Sequence, residues 1–254
     1  MKIAFVYDRV NKFGGAERIL LSLREIWPDA PLFTSVYSPQ TAPWAAEFDV
    51  RPSFLNFFPF VQTRHEWLTP FTPLAFESFD FSPFDVVLSI TSGDAKGIIT
   101  KPGTLHICYC LTPTRYLWSA FPDYLAQPGM GWFNGLAKVF MKIFFVKLRL
   151  WDQIASRRPD TYITISENVG RRIKAYYQQE AEVIYPPVEI EKFKPQKKMT
   201  KEKYFLIVSR LVPYKKIDYA IAVFNQLGWK LKIIGKGMDG GRLKKCLVTT
   251  LNLS

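Results

Sequence analysis

Arg210 and Lys215 lie five residues apart in the run YFLIVSRLVPYKKID, from Tyr204 to Asp218, and two cations so placed can meet an anionic ligand. Tyr204 to Val208 is continuous and β-favouring, the pattern of a strand buried on both faces of a parallel sheet. Ile217, Ala220, Ile221 and Phe224 then recur at helical spacing. The turn between them carries both cations to a helix start, where unpaired backbone N–H groups add partial positive charge. A solvated basic turn gives the same pattern, and the cations alone do not separate the two.

A second phosphate-sized feature lies at the N-terminus. KIAFVYD (Lys2 to Asp8) reads as a strand and leads into Gly14-Gly15-Ala16-Glu17, followed by RILLSLREI with helical periodicity. Without Cβ atoms, Gly14 and Gly15 let a backbone come close to a phosphate, although any strand-to-helix turn uses glycine in the same way. Asp94 and Lys96 follow the DVVLSIT strand, and Ser166 and Glu167 follow TYITIS. These are strand C-terminal ends, where α/β proteins bind ligands; turn and helix N-cap roles suit the four residues equally.

Gly235-Lys236-Gly237-Met238-Asp239-Gly240 satisfies GxGxxG between a strand and a helix, the pattern of an NAD-type Rossmann oxidoreductase. That fingerprint also needs an acidic residue about 20 positions on, and the sequence has only 14 residues after Gly240. The two histidines offer little chemistry: His65 reads as a surface or capping residue and His106, at the start of the LHICYC run, as a satisfied strand residue. Cys108 and Cys110 share that strand, so the three cysteines form neither a disulfide framework nor a zinc pattern and read as buried free thiols.

With 48% hydrophobic and 22% charged residues, the chain is globular rather than disordered. No apolar run approaches the roughly 18 residues that span a bilayer, and the N-terminus reads as a core strand rather than a removable signal, which predicts a cytoplasmic protein. The net charge of +12 is spread along the chain without a nucleic-acid-binding signature, so no nucleic acid partner is expected. Between Trp132 and Trp151, Lys138, Lys142 and Arg149 fall within about 40° of one another on a helical wheel. Such a helix suits an anionic membrane surface, and equally a core-facing helix with its cations in water.

Six segments occur in an order that resembles family-4 glycosyltransferases, in their bacterial mannosyltransferase-like branch. They are GGAER (Gly14 to Arg18), CYCLTPTRYLW (Cys108 to Trp118), ISENVGRRI (Ile165 to Ile173), VIYPPVEIEKF (Val183 to Phe193), SRLVPYKKID (Ser209 to Asp218) and IIGKG (Ile233 to Gly237). The resemblance runs from the first residue to about Leu243. It implies the α/β GT-B fold, in which two Rossmann-like parallel-sheet domains face each other across a cleft. Residues 1–187 would form the acceptor-side domain and 188–254 an incomplete donor-side domain.

The same resemblance implies transfer of a hexosyl group, with mannosyl the candidate, from a nucleotide-sugar to a lipid-linked or polysaccharide acceptor, with retention of configuration. This is cell-envelope chemistry, at the inner face of the plasma membrane for a peripheral protein. Gly14, Gly15, Arg210 and Lys215 would hold the donor diphosphate, with Arg210 and Lys215 catalytic, and no cofactor or metal is expected. Thr112, Arg115 and Tyr116, with Asp94, Lys96, Ser166 and Glu167, are the acceptor-side candidates.

The sequence departs from the family in three places. Leu111 stands where many members carry a histidine that contacts the reacting sugar. No glutamate follows Glu202, so the family's pair of donor-binding glutamates is missing, and CLVTTLNLS departs from the usual continuation. A C-terminally truncated transferase with impaired activity is therefore expected, the alternative being a non-catalytic acceptor- or membrane-binding module. A second domain of 67 residues after Pro187 is marginal in size, and LKIIG is expected to leave an apolar sheet edge open.

Overall fold

The computed structural model describes residues 1–58, 65–119, 134–192, 203–246 and 251–253; the side chains of 65–67, 134–143, 192 and 251–253 lie outside that set. The chain divides into two compact units, Met1–Val188 and Glu189–Ser254.

The first unit is built on a seven-stranded parallel sheet, ordered β3-β2-β1-β4-β5-β6-β7. Its strands are β1 (Ile3–Tyr7), β2 (Leu32–Thr34), β3 (Val50–Pro52), β4 (Val86–Thr91), β5 (Leu105–Cys110), β6 (Thr161–Thr164) and β7 (Glu182–Val183). Helices in this unit are α1 (Gly15–Ile26), α2 (Thr72–Glu77), α3 (Asn134–Ala155) and α4 (Glu167–Tyr177). The continuous apolar runs become strands covered on both faces. Phe5 and Tyr7 of β1, with Ile90 and Tyr109, pack against Ile19 and Leu20 of α1. Ala4 and Val6, on the opposite face, join Val87 and Phe76 of α2, while Cys108, Cys110 and Tyr162 pack against Val169 and Ile173 of α4. Strand order reverses at β1, with β2 on one side and β4 on the other. In open parallel sheets this switch point leaves a crevice at the carboxyl ends of the strands.

The second unit has a three-stranded parallel sheet, ordered β10-β9-β8: β8 (Phe205–Val208), β9 (Leu231–Ile234) and β10 (Leu251–Leu253). Helices α5 (Ile217–Leu227) and α6 (Gly240–Lys245) follow β8 and β9. Their Ile217, Ile221 and Leu243 bury one sheet face with Leu231, Ile233 and Ile207. Two expectations need correcting here. β8 is not buried on both faces: it is an edge strand, and Leu206 and Val208 on the uncovered face are 51% and 70% exposed. LKIIG is not an edge, because β9 pairs with β8 on one side and with β10 on the other; among the described residues the outer strands of this sheet are β8 and β10. A strand within the segment CLVTTLNLS was not anticipated.

Candidate functional site

In the second unit, β8 exits into Ser209-Arg210-Leu211-Val212, and a single 3-10 turn, Pro213–Lys215, precedes α5. Arg210, Lys215 and Lys216 are all exposed. The Arg210 guanidinium donates from Nη2 to the Tyr214 hydroxyl at 2.9 Å, and Lys215 Nζ lies 5.8 Å from the centroid of the same ring. Lys216 instead has φ 51°, a left-handed conformation that glycine adopts with less strain, and its ammonium lies over Tyr219. Its side chain is thus directed by a different aromatic from the one that orders Arg210 and Lys215.

The glycine-rich loop at 235–240 buttresses this turn. Ser209 N–H donates to Ile234 O and Leu211 N–H to Lys236 O, both at 3.0 Å, and Asp239 N–H returns to Leu211 O at 3.0 Å. A Cβ on Gly235 would lie 1.8 Å from Ser209 O, and one on Gly237 2.1 Å from Leu211 O. Close approach of the segment 209–211 therefore accounts for both glycines without a cofactor. Arg242 completes the brace, donating to Asp239 at 2.6 and 2.8 Å and to Asp218 of α5 at 3.3 Å.

In the first unit all strands are parallel, so the loops after β1, β4, β5 and β6 emerge at one sheet edge. Gly14 is the N-cap of α1 and Gly15 its first residue. A Cβ on Gly15 would meet nothing within 4 Å, so packing inside the chain does not demand glycine there. Glu17, 1% exposed, accepts a 2.6 Å hydrogen bond from Tyr7 and so ties the first turn of α1 to the end of β1. Burial, reinforced by Glu17, raises the Tyr7 pKa far above its ordinary value and keeps the phenol protonated. Asp8 spans the switch point: Oδ1 accepts from Thr91 Oγ1 at 2.7 Å and Ala95 N–H at 3.0 Å, and Oδ2 from Ser92 N–H at 2.6 Å.

The acceptor-side candidates separate into internal braces and accessible groups. Lys96 is 1% exposed and paired with Asp152 of α3 at 2.5 Å; it also donates to Gly93 O at 2.6 Å and Thr114 Oγ1 at 3.0 Å. Burial alone would lower its pKa, but Asp152 and Asp94 outweigh that and hold the ammonium charged. Lys96 is therefore a buried brace and not an exposed cation for an acceptor. Asp152 also accepts from Thr114 Oγ1 and from Trp118 Nε1, each at 2.7 Å, which pins the 111–118 loop to α3. Ser166 is the N-cap of α4, its Oγ accepting from Val169 N–H at 3.3 Å; Glu167 in the first turn is exposed. Thr112, Arg115 and Tyr116 are half-buried, and Leu111 packs against the core cluster of Phe5 and Tyr109.

Asp94 is 7% exposed and accepts from the hydroxyls of Thr72 and Tyr116, the latter at 3.1 Å. Burial raises its pKa from 3.8 to about 6, with the Lys96 charge and the Thr72 hydrogen bond opposing the shift and Asp8 and Asp152 adding to it. A carboxyl whose folded pKa lies above its unfolded one costs stability when ionised, and that cost disappears as pH falls from about 6 towards 3.8. Asp94→Asn should remove this dependence. Acidification through the window should stabilise wild type relative to the variant by up to about 1.4 kcal/mol per pH unit, read from urea midpoints. Parallel curves for the two proteins would contradict the assignment.

Two expectations, for the α3 stripe and for the thiols, need correcting. Arg149, placed on a membrane-facing stripe by its helical position, donates from Nε and Nη2 to Leu117 O at 3.0 and 2.6 Å and stacks on Trp118. The side chains of Lys138, Lys142 and His65 lie outside the described residues. His106 is fully buried, with Nε2 2.9 Å from Ser89 Oγ; burial lowers its pKa to about 4, so it stays neutral. Cys108 and Cys110 are buried free thiols, whereas Cys246 is exposed. No helix among the described residues is long and apolar enough to cross a membrane.

Asp8, Thr114, Asp152 and Tyr214 were not singled out from the sequence. Asp152 had one available signal, as the only acid from Leu136 to Ala155.

No protein-family model matches the sequence, and no curated protein matches it. Among solved structures, the chain is similar to Anabaena Alr3699/HepE, crystallised in complex with UDP, with a TM-score of 0.60 and 16% identity over 100% of this chain and 68% of that one. It is also similar to AviGT4, a glycosyltransferase involved in avilamycin A biosynthesis, with a TM-score of 0.43 and 15% identity over 100% of this chain and 63% of that one. The likeness to HepE shows the fold alone: α/β, with Rossmann-like parallel sheets of the GT-B type.

Proposed function

We propose that this chain binds a nucleotide-sugar and belongs to a glycosyltransferase that moves its sugar to a lipid-linked or polysaccharide acceptor. The observation that carries this reading is the pair Arg210 and Lys215, exposed at the carboxyl end of β8 and ordered by one tyrosine at the approach to α5. The HepE complex with UDP supports a nucleotide as the ligand class. A guanidinium and an ammonium neutralise charge that grows on a departing nucleoside diphosphate, and part of their contribution then acts on rate. Their two positive charges also supply the neutralisation that a divalent ion gives elsewhere. Family 4, retention and a mannosyl donor rest on the sequence resemblance.

In the first unit, Gly14 and Gly15 offer backbone N–H groups to an anion at the head of α1, and Thr112, Arg115 and Tyr116 face the acceptor. Asp94 shapes that loop through Tyr116, while Ser166 and Glu167 serve at the head of α4. Peripheral attachment to the cytoplasmic face of a membrane through Lys138 and Lys142 fits a lipid-linked acceptor. Leu111 favours a second reading, a non-catalytic acceptor-binding module, because an aliphatic side chain packed on the core gives a sugar no hydrogen bond.

Calorimetric titration of residues 1–254 separates diphosphate recognition from nonspecific charge. UDP, GDP, UDP-glucose and GDP-mannose should bind within about tenfold of one another, and UMP at least about tenfold more weakly, as loss of one charge-assisted contact predicts. Equal affinity for UMP and UDP would contradict the proposal.

A further inference from the structure

We infer that Tyr214 is the positioning residue of the cation pair, holding the Arg210 guanidinium and the Lys215 ammonium ready for one diphosphate. The inference rests on the assignment of that anion to this loop. Tyr214 touches both cations by different means: its hydroxyl accepts from Arg210 Nη2 at 2.9 Å, and its ring lies 5.8 Å from Lys215 Nζ. Its side chain is 43% exposed, so both contacts lie at the surface where a ligand can reach them. The backbone beneath it is fixed, because Lys215 N–H bonds Val212 O at 3.0 Å and Lys216 N–H bonds Pro213 O at 3.1 Å.

The physical need is clear from the two side chains. Both are long and rotamer-rich, and their like charges repel when brought to one ligand. An aromatic ring offers its negative face to one cation, while the phenolic oxygen accepts from the other, so the pair stands together before the anion arrives. A guanidinium has five N–H donors, and donation to Tyr214 leaves the remainder of the fork for phosphate oxygens. Affinity gained in this way comes from ordering in advance rather than from a new ligand contact.

Inorganic pyrophosphate, titrated into the full 254-residue chain by calorimetry, provides the test. Tyr214→Phe keeps the ring and loses the acceptor, so it should weaken pyrophosphate about two- to tenfold, the range for one side chain left unordered. In an Arg210→Ala background the same change should have almost no effect, and Tyr214→Phe alone should leave the thermal midpoint unchanged. Tyr214→Ala should weaken binding further, and that extra loss should vanish in a Lys215→Ala background. Equal losses from Tyr214→Phe with and without Arg210, or no loss where Arg210→Ala itself weakens binding, would overturn the role of Tyr214. Wild type that fails to bind pyrophosphate would overturn the anion assignment and this inference with it.

Discussion

Lys96→Met is expected to destabilise the first unit by about 3–5 kcal/mol, the usual cost of leaving one member of a buried ion pair without its partner. Lys96 and Asp152 are 1% and 0% exposed and 2.5 Å apart, so solvent cannot take over from the lost partner. Asp152 would keep Thr114 and Trp118 as donors but would carry an uncompensated charge beside Asp94, whose own pKa burial has already raised. Adding Asp152→Leu to Lys96→Met should cost less than the sum of the single changes, because the second change removes the orphaned charge. Urea midpoints followed by tryptophan fluorescence measure both. A loss below about 1 kcal/mol for Lys96→Met would return Lys96 to the accessible, acceptor-side role.

The second large effect concerns ligand chemistry. In a form of the protein that turns over donor, Arg210→Ala and Lys215→Ala should each slow turnover by about 10²-fold, as when one preorganised charge stabiliser is removed. Lys216→Ala should have much less effect, since Lys216 lies over Tyr219 rather than Tyr214. Equal, negligible effects for all three substitutions would remove the diphosphate assignment.

Much of the site's placement was legible because strand ends are legible. The apolar runs that became β1, β4, β5 and β6 end where polar or glycine residues begin, and the parallel sheet of the first unit brings their carboxyl ends to one side; the run that became β8 ends in the same way within its own sheet. The three-residue strands β2 and β3 are too short for periodicity to reveal, and they owe their place to pairing with β1 and with each other. The exposure of Leu206 and Val208 was hidden for a different reason: an apolar run shows that a strand can be buried on both faces, not that a second layer of helices is there to bury it.

Side-chain destinations were least legible. Lys96 finds Asp152 56 residues away, and Arg149 finds the Leu117 carbonyl 32 residues away, so neither local spacing nor a helical wheel could reveal them. The glycine loop shows the opposite case. Its pattern fits a cofactor fingerprint, yet Ser209 and Leu211 carbonyls at 1.8 and 2.1 Å from the missing Cβ atoms explain why side chains are excluded.

The most direct measurement of the central claim is a crystal structure of this chain grown with UDP. The β-phosphate should lie within hydrogen-bonding distance, roughly 3 Å, of both the Arg210 guanidinium and the Lys215 ammonium, with Arg210 still bonded to Tyr214. A diphosphate bound elsewhere, with Arg210 and Lys215 left facing solvent, would contradict the account.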